Sequence, residues 1–251
     1  MSSSSFQSGY SASWFAQINL TAAVESQANE GAGITLALVD TGVSPTNPEI
    51  AGRISPASQC AAVTFTCSDG YDDDNGHGTA TASIAGGAYN PNTDLMSGVA
   101  PAVTILSEKV LNASGSGYDV DVANGIIQAA NNGANVISLS LTYIPTQAVV
   151  NAINYAVDKG IYIVWAAGNA SSAINGGADT TGLDPAALTH LTIVGSVSSS
   201  NVLSTFSNTP GTASIDSSNG SLLYSQVWLM APGENILAPA IQYGGDSVYG
   251  Y

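Results

Sequence analysis

Three features of the sequence predict an α/β fold with a doubly wound, mostly parallel sheet and helices on both faces. Apolar runs of strand length recur along the chain. Helix-period segments separate them. Glycines follow those segments where helix C-caps fall.

Taken in order, residues 1–12 read as a polar, flexible lead-in. Over 14–30, Trp14, Ile18, Leu20, Ala23 and Val24 suggest one or two helical turns, which Gly31 and Gly33 stop. Residues 34–39 form an apolar run, the mark of a strand buried on both faces of a parallel sheet. Asp40-Thr41-Gly42 stands at its C-terminal end. Similar strands are expected at 103–106, 136–141, 161–166 and 191–197. Helical patterns over 120–131 and 146–158 lead to Gly133 and Gly160. Residues 208–226, rich in Ser, Thr, Asn and Gly, read as a long surface loop. In doubly wound sheets the chemistry sits at the carboxyl ends of the strands.

The length of 251 residues suits one large domain, taken as 13–251. Hydrophobic residues make up 45% and charged residues only 8%, far below the ~25% of ordinary soluble domains. Eighteen acidic against three basic side chains leave a net charge of −15. Such a surface repels nucleic acids and anionic membranes and draws in cationic peptides. No apolar run reaches the ~18 residues of a membrane span. Two cysteines, Cys60 and Cys67, stand seven positions apart with no CxxC pair and no nearby histidine. That argues against zinc and for a local disulfide made in an oxidising compartment.

Three positions carry candidate chemistry. Asp40 closes a buried strand; taken alone, Asp-Thr-Gly is good turn chemistry. The same tripeptide occurs in aspartic proteases, but those need two such carboxylates and this chain has a single copy. His77 sits between glycines in Asn75-Gly76-His77-Gly78-Thr79, which leaves its imidazole accessible just before an expected helix. Asp72, Asp73 and Asp74 precede it and read as a solvated charged loop rather than a cation site. Asn169 ends the strand Val164-Trp165-Ala166-Ala167-Gly168-Asn169, where its amide can donate to a developing oxyanion.

The ordered set Asp-Thr-Gly, Gly-His-Gly-Thr, Ser-Leu-Ser-Leu and Ala-Ala-Gly-Asn resembles the subtilisin-like serine proteases. Ser97-Gly98-Val99-Ala100-Pro101, Lys109-Val110-Leu111, Phe206-Ser207-Asn208 and Met230-Ala231-Pro232-Gly233 agree with it. The match runs from about Trp14 to Tyr251. Each motif alone is weak; their order is specific.

The resemblance implies a serine endopeptidase acting on protein or peptide substrates. It makes Asp40 the residue that orients the histidine, His77 the general base and then acid, and Asn169 part of the oxyanion hole. It assigns Ser140, Leu141 and Thr142 to the strand that pairs with substrate. Ala166, Ala167 and Gly168 become the facing pocket wall. No cofactor is required, and no metal ligand is assigned. The family's calcium loop does not match cleanly over 88–96, so a structural calcium is left open. Similarity to secreted bacterial members implies an extracellular location.

The chain departs from the family at three places. Thr142 stands where a glycine is usual, which narrows the pocket entrance. Ala80 stands where a histidine often follows. The nucleophile, normally in Gly-Thr-Ser soon after Met-Ala-Pro-Gly, is absent. Ser247, in Gly245-Asp246-Ser247, comes too early and reads as loop. The expectation is therefore a catalytic domain incomplete at its C-terminus. A C-terminal fragment of the same protease would carry the serine, and this chain alone would be inactive. The alternative is an inactive protease-like binding or scaffold module. Intact Asp40, His77 and Asn169 favour the enzyme.

Overall fold

In a computed structural model, the structure describes residues 12–20, 28–88, 97–142, 146–174, 182–212, 214–215, 223–236 and 238. The expected lead-in, apart from Ala12, lies outside them, as do Ser247 and all of 88–96 except Ala88.

Seven parallel strands form one sheet in the order β2-β3-β1-β4-β5-β6-β7. They are β1 (Thr35–Asp40), β2 (Gln59–Cys60), β3 (Thr104–Lys109), β4 (Val136–Leu139), β5 (Tyr162–Ala166), β6 (Leu191–Val197) and β7 (Trp228–Pro232). The helices are α1 (Ala12–Gln17), α2 (His77–Gly86), α3 (Asp119–Asn131), α4 (Gln147–Asp158) and the short α5 (Ala187–His190).

The apolar run around 34–39 forms a central strand because both its faces are covered. Ala37 and Val39 point into a core shared with α3 and α4, through Val122, Ile126, Val150 and Ile153. Leu36 and Leu38 point the other way, toward Ala82 of α2 and toward Ile50 and Val103. Each Val, Leu or Ile so buried contributes roughly 1.5–3 kcal/mol. Helices on both faces and parallel pairing throughout make this the doubly wound α/β sheet that the periodicity predicts.

The order also explains where the chemistry falls. β1 lies between β3 and β4, so later strands are laid down on opposite sides of it. A crevice opens at the carboxyl ends where the winding reverses. Asp40 is the last residue of β1.

The one or two helical turns expected over 14–30 are met by the helix Ala12–Gln17, with a 3₁₀ turn at Asn29–Gly31; residues 21–27 lie outside those described. Other expectations need correction. The fourth strand stops at Leu139, two residues early. Residues 208–226 are not simply surface loop: Asn208, Ile215 and Tyr224 are buried. A 3₁₀ turn, Tyr224–Val227, then leads into β7. Neither β2 nor β7 is legible as a strand. β2 is two residues long. β7 ends in Pro232 at the sheet edge, where the missing N–H costs no ladder bond.

Cys60 and Cys67 form a disulfide. The loop it closes is pinned to the start of α3 by Asp121, which is fully buried. Its carboxylate accepts from Val63 N at 2.6 Å, Thr64 N at 2.9 Å, Thr64 Oγ1 at 2.5 Å and Tyr118 N at 3.1 Å. Burial pushes this carboxyl up, but the hydrogen bonds outweigh it and hold it below the usual range.

Candidate active site

Asp40 and His77 meet at the crevice. Asp40 is 1% exposed, and its Oδ1 lies 2.7 Å from His77 Nδ1. A carboxylate only accepts, so Nδ1 carries the proton and donates it. Thr41 N also donates to Oδ1 at 2.7 Å, which fixes the carboxylate from behind. The bond to Asp40 raises the His77 pKa most; burial opposes it, and the charges of Asp40 and Asp73 add to the rise. Nδ1 is thus committed to Asp40, and the ring is oriented by that bond.

The glycines around these residues have a steric cause. A Cβ on Gly78 would lie 2.1 Å from the carbonyl oxygen of Gly42. Asp-Thr-Gly and Gly-His-Gly therefore interlock backbone to backbone, and the approach that lets Nδ1 reach Oδ1 depends on that gap.

Asn169 is exposed on the turn after β5. The turn passes through Gly168 at φ 101°, where a Cβ would meet Thr142 Cγ2 and Asn208 Nδ2, each at 2.8 Å. Asn208 itself clamps the turn. Its Nδ2 donates to Ala167 O at 3.0 Å, and its Oδ1 accepts from Ala170 N at 2.9 Å.

Two cavities flank residues 140–142. One, of about 530 Å³, is bordered by His77, Ser140, Leu141 and Thr142, with Tyr118 and Asp119 opposite. The other, of about 540 Å³, is bordered by His77, Ser140, Ala166, Ala167, Gly168 and Asn169. The structure thus gathers all the sequence-predicted site residues around His77. Asp40 sits behind it and the rest line the cavities. Thr142 stands against Gly168, where a Cβ on the glycine would lie 2.8 Å from Thr142 Cγ2. Trp165, 2% exposed, donates from Nε1 to Leu141 O at 3.0 Å and holds the 140–142 segment in place.

The aspartate triplet corrects another expectation. Asp73 is 6% exposed and Asp74 pairs with Lys109 Nζ at 2.5 Å, so this is not a solvated charged loop. Lys109, 2% exposed, also donates to Thr41 O, next in the chain to Asp40. Asp73, Lys109, Trp165 and Asn208 are site residues that sequence reasoning missed. Lys109 and Asn208 lie in motifs that point to the family without indicating a contact. Among the described residues, no group of three or more His, Cys, Asp and Glu is placed to hold a metal. No described helix is long and apolar enough to cross a membrane.

Comparison with known proteins places the chain as a whole. Thermitase of Thermoactinomyces vulgaris is 43% identical over 144 residues, covering 57% of this chain and 50% of that protein. A thermophilic serine proteinase of Bacillus sp. (strain AK1) is 39% identical over 179 residues, 70% of this chain and 41% of that one. The chain spans about half the length of these curated relatives. The crystal structure of a cold adapted subtilisin-like serine proteinase superposes with a TM-score of 0.62 at 29% identity, covering 83% of this chain and 66% of that one. A model of the subtilase family matches residues 31–249, nearly the whole sequence, and the chain belongs to that family.

Proposed function

We propose that this protein is a serine endopeptidase that hydrolyses peptide bonds of proteins through an acyl-enzyme intermediate. The observation that carries the reading is the buried Asp40 carboxylate held 2.7 Å from the partly exposed His77 imidazole, on the rim of a groove that Asn169 also borders. A scaffold has no need of an oriented imidazole beside an amide donor.

The reaction needs one further group, a serine hydroxyl. Its oxygen attacks the substrate carbonyl carbon while His77 takes its proton. Asn169 donates its side-chain amide to the oxyanion of the tetrahedral intermediate. His77 then gives the proton to the departing amine, leaving the acyl ester. Water attacks that ester with His77 again as base, and the acid is released. Asp40 orients the imidazole and stabilises the imidazolium, the division of labour known from subtilisins. Residues 140–142 pair with the substrate backbone, and residues 166–168 form the wall of the first specificity pocket. None of these steps calls on a cofactor.

The serine is supplied by a C-terminal segment of the same protease, seated in the 540 Å³ groove. Supporting this are the groove's partly exposed apolar lining, including Ile84, Val164, Ala166 and Val194, and its border with His77. Leaving that surface to water would cost roughly 25 cal/mol per Å². The disulfide supports an extracellular location. Fluorophosphonate labelling tests the proposal. The 251 residues alone should take up no probe. Protein extended by a segment bearing Gly-Thr-Ser should be labelled at that serine. No labelling of the extended protein would favour the inactive scaffold instead.

A further inference from the structure

We propose that Asp73 is a positioning residue for the Asp40–His77 pair, acting through Thr41 and the start of α2; this rests on the endopeptidase reading above. Asp73 touches neither the imidazole Nδ1 nor the space where substrate would lie. What it does is join the two pieces of chain that carry the pair.

Five hydrogen bonds converge on its carboxylate. Oδ1 accepts from Thr41 Oγ1 at 2.9 Å, Asn75 N at 3.0 Å and Gly76 N at 2.9 Å. Oδ2 accepts from Thr79 N at 2.9 Å and Thr79 Oγ1 at 2.6 Å. Thr41 belongs to the β1 exit: its N–H donates to Asp40, and its Oγ1 also accepts from Gly78 N at 2.9 Å. Asn75, Gly76 and Thr79 flank His77. The circuit therefore runs from Asp73 through Thr41 to Asp40, across to His77, and back through the backbone of α2's first turn.

A carboxylate suits this place because every neighbour is a donor. An amide would turn an NH₂ toward the Thr79 N–H, leaving buried donors facing each other. The N-cap residue, Gly76, offers no side chain. Asp73 takes the Gly76 and Thr79 N–H groups at the start of α2, while Asn75 Oδ1 accepts from His77 N at 3.2 Å and Thr41 Oγ1 from Gly78 N. It thus meets two of the orphan N–H groups of the first turn while holding the β1 exit against it. Its charge also acts on the imidazole, since Asp73 is among the groups that raise the His77 pKa. The other charged groups at this end are Asp40 on β1, Lys109 on β3 tied to Asp74, and Asp72, whose Oδ1 accepts from Asp73 N at 2.9 Å. The described part of α2 carries no charged group beyond His77 itself in its first and last turns.

The test reads the imidazole directly by NMR of histidine-labelled full-length protein, with His77 identified by its loss in H77Q. In the parent protein the Nδ1 proton should be protected from solvent and the titration midpoint should lie above the ordinary histidine value. In Asp73→Asn the midpoint should fall toward the ordinary value, and the proton should exchange about tenfold faster or more, as expected for losing buried hydrogen bonds. The signals of His190, at the end of α5, should be the same in parent and variant. If Asp73→Asn does not fold, Thr41→Val leaves Asp73's bonds to α2 in place and removes the hydroxyl that ties β1 to Asp73 and to Gly78 N; it should show the same two changes, and Thr41→Ser should reverse them. A folded Asp73→Asn, or failing that Thr41→Val, with the parent midpoint and exchange rate overturns the proposal. These readouts need no peptide hydrolysis, so failure of the endopeptidase reading alone leaves them untouched.

Discussion

The Asn208 side chain donates to Ala167 O across 41 positions of sequence, at 3.0 Å. Together with the bond it accepts from Ala170 N, it grips the Asn169 turn on both sides of that residue. In the complete enzyme Asn169→Ala should lower kcat by about 10²–10³-fold with little change in KM, a magnitude carried over from subtilisin. The amide meets the oxyanion mainly in the transition state, so ground-state binding survives its loss. Asn208→Asp keeps the acceptor but loses the donor to Ala167. It should lower kcat in the same direction by a smaller factor. Steady-state kinetics of both variants decide it; an unchanged kcat in Asn169→Ala removes Asn169 from the oxyanion hole.

Glu108 should make stability fall as pH rises. It is fully buried on β3, where Asn132 Nδ2 donates to its Oε1 at 2.9 Å and Oε2 has no partner among the described residues. Burial, the dominant cause, pushes its pKa from 4.5 up to about 7. A carboxyl whose folded pKa is raised is held protonated by the fold. Its contribution is full below pH ~4.5, shrinks as pH rises through 7, and amounts to a loss on the order of 3 kcal/mol above that. Glu108→Gln carries the neutral shape at every pH. Its Tm should match the parent near pH 4.5 and exceed it at pH 8.5. Equal Tm differences at the two pH values would contradict this.

Reduction of Cys60–Cys67 should destabilise the fold by roughly 2–3 kcal/mol, the chain-entropy value for so short a loop. The loosened loop should also free Asp121 and the first turn of α3, which walls one cavity. Calorimetry with and without reductant measures the first effect. Thiol labelling of unfolded, unreduced protein checks the bond, and two reactive thiols would refute it.

Cleavage should favour apolar residues on the acyl side of the scissile bond. Leu141, Ala166, Ala167 and Gly168 present no charge, and an unpaired charge buried among them would be costly. The cavity on the other side of residues 140–142 differs, since Asp119 stands at its edge. Side chains reaching that cavity should be accepted better as Lys or Arg than as Glu, by a few-fold given Asp119's exposure. Asp119→Asn should abolish this preference. Profiling the complete enzyme on a peptide library tests both parts, and strict cleavage after Arg or Lys would rule out the first.

The sequence by itself determined five of the seven strands, and the ordered motifs singled out Asp40 and His77 through their resemblance to a family. A strand buried on both faces must be apolar along its length, so 34–39 announces itself; 161–166 and 191–197, buried mainly on one face, still show enough apolar residues to be read as strands. Asp40, His77 and Asn169 are legible because each stands at a strand or helix end among residues of restricted kind, Gly42 and Gly78 above all. Only the tertiary structure decided what holds them. Asp73 reads as one charge in a run of three until Thr41 and Thr79 converge on it. Lys109 ends a strand and gives no sign of reaching Thr41 and Asp74. Asn208 looks like loop until it closes on Ala167. The reason is physical: periodicity records which face a residue shows to the core. A hydrogen bond between segments dozens of residues apart is set by where the folded backbone leaves a donor without a partner, and no local pattern encodes that.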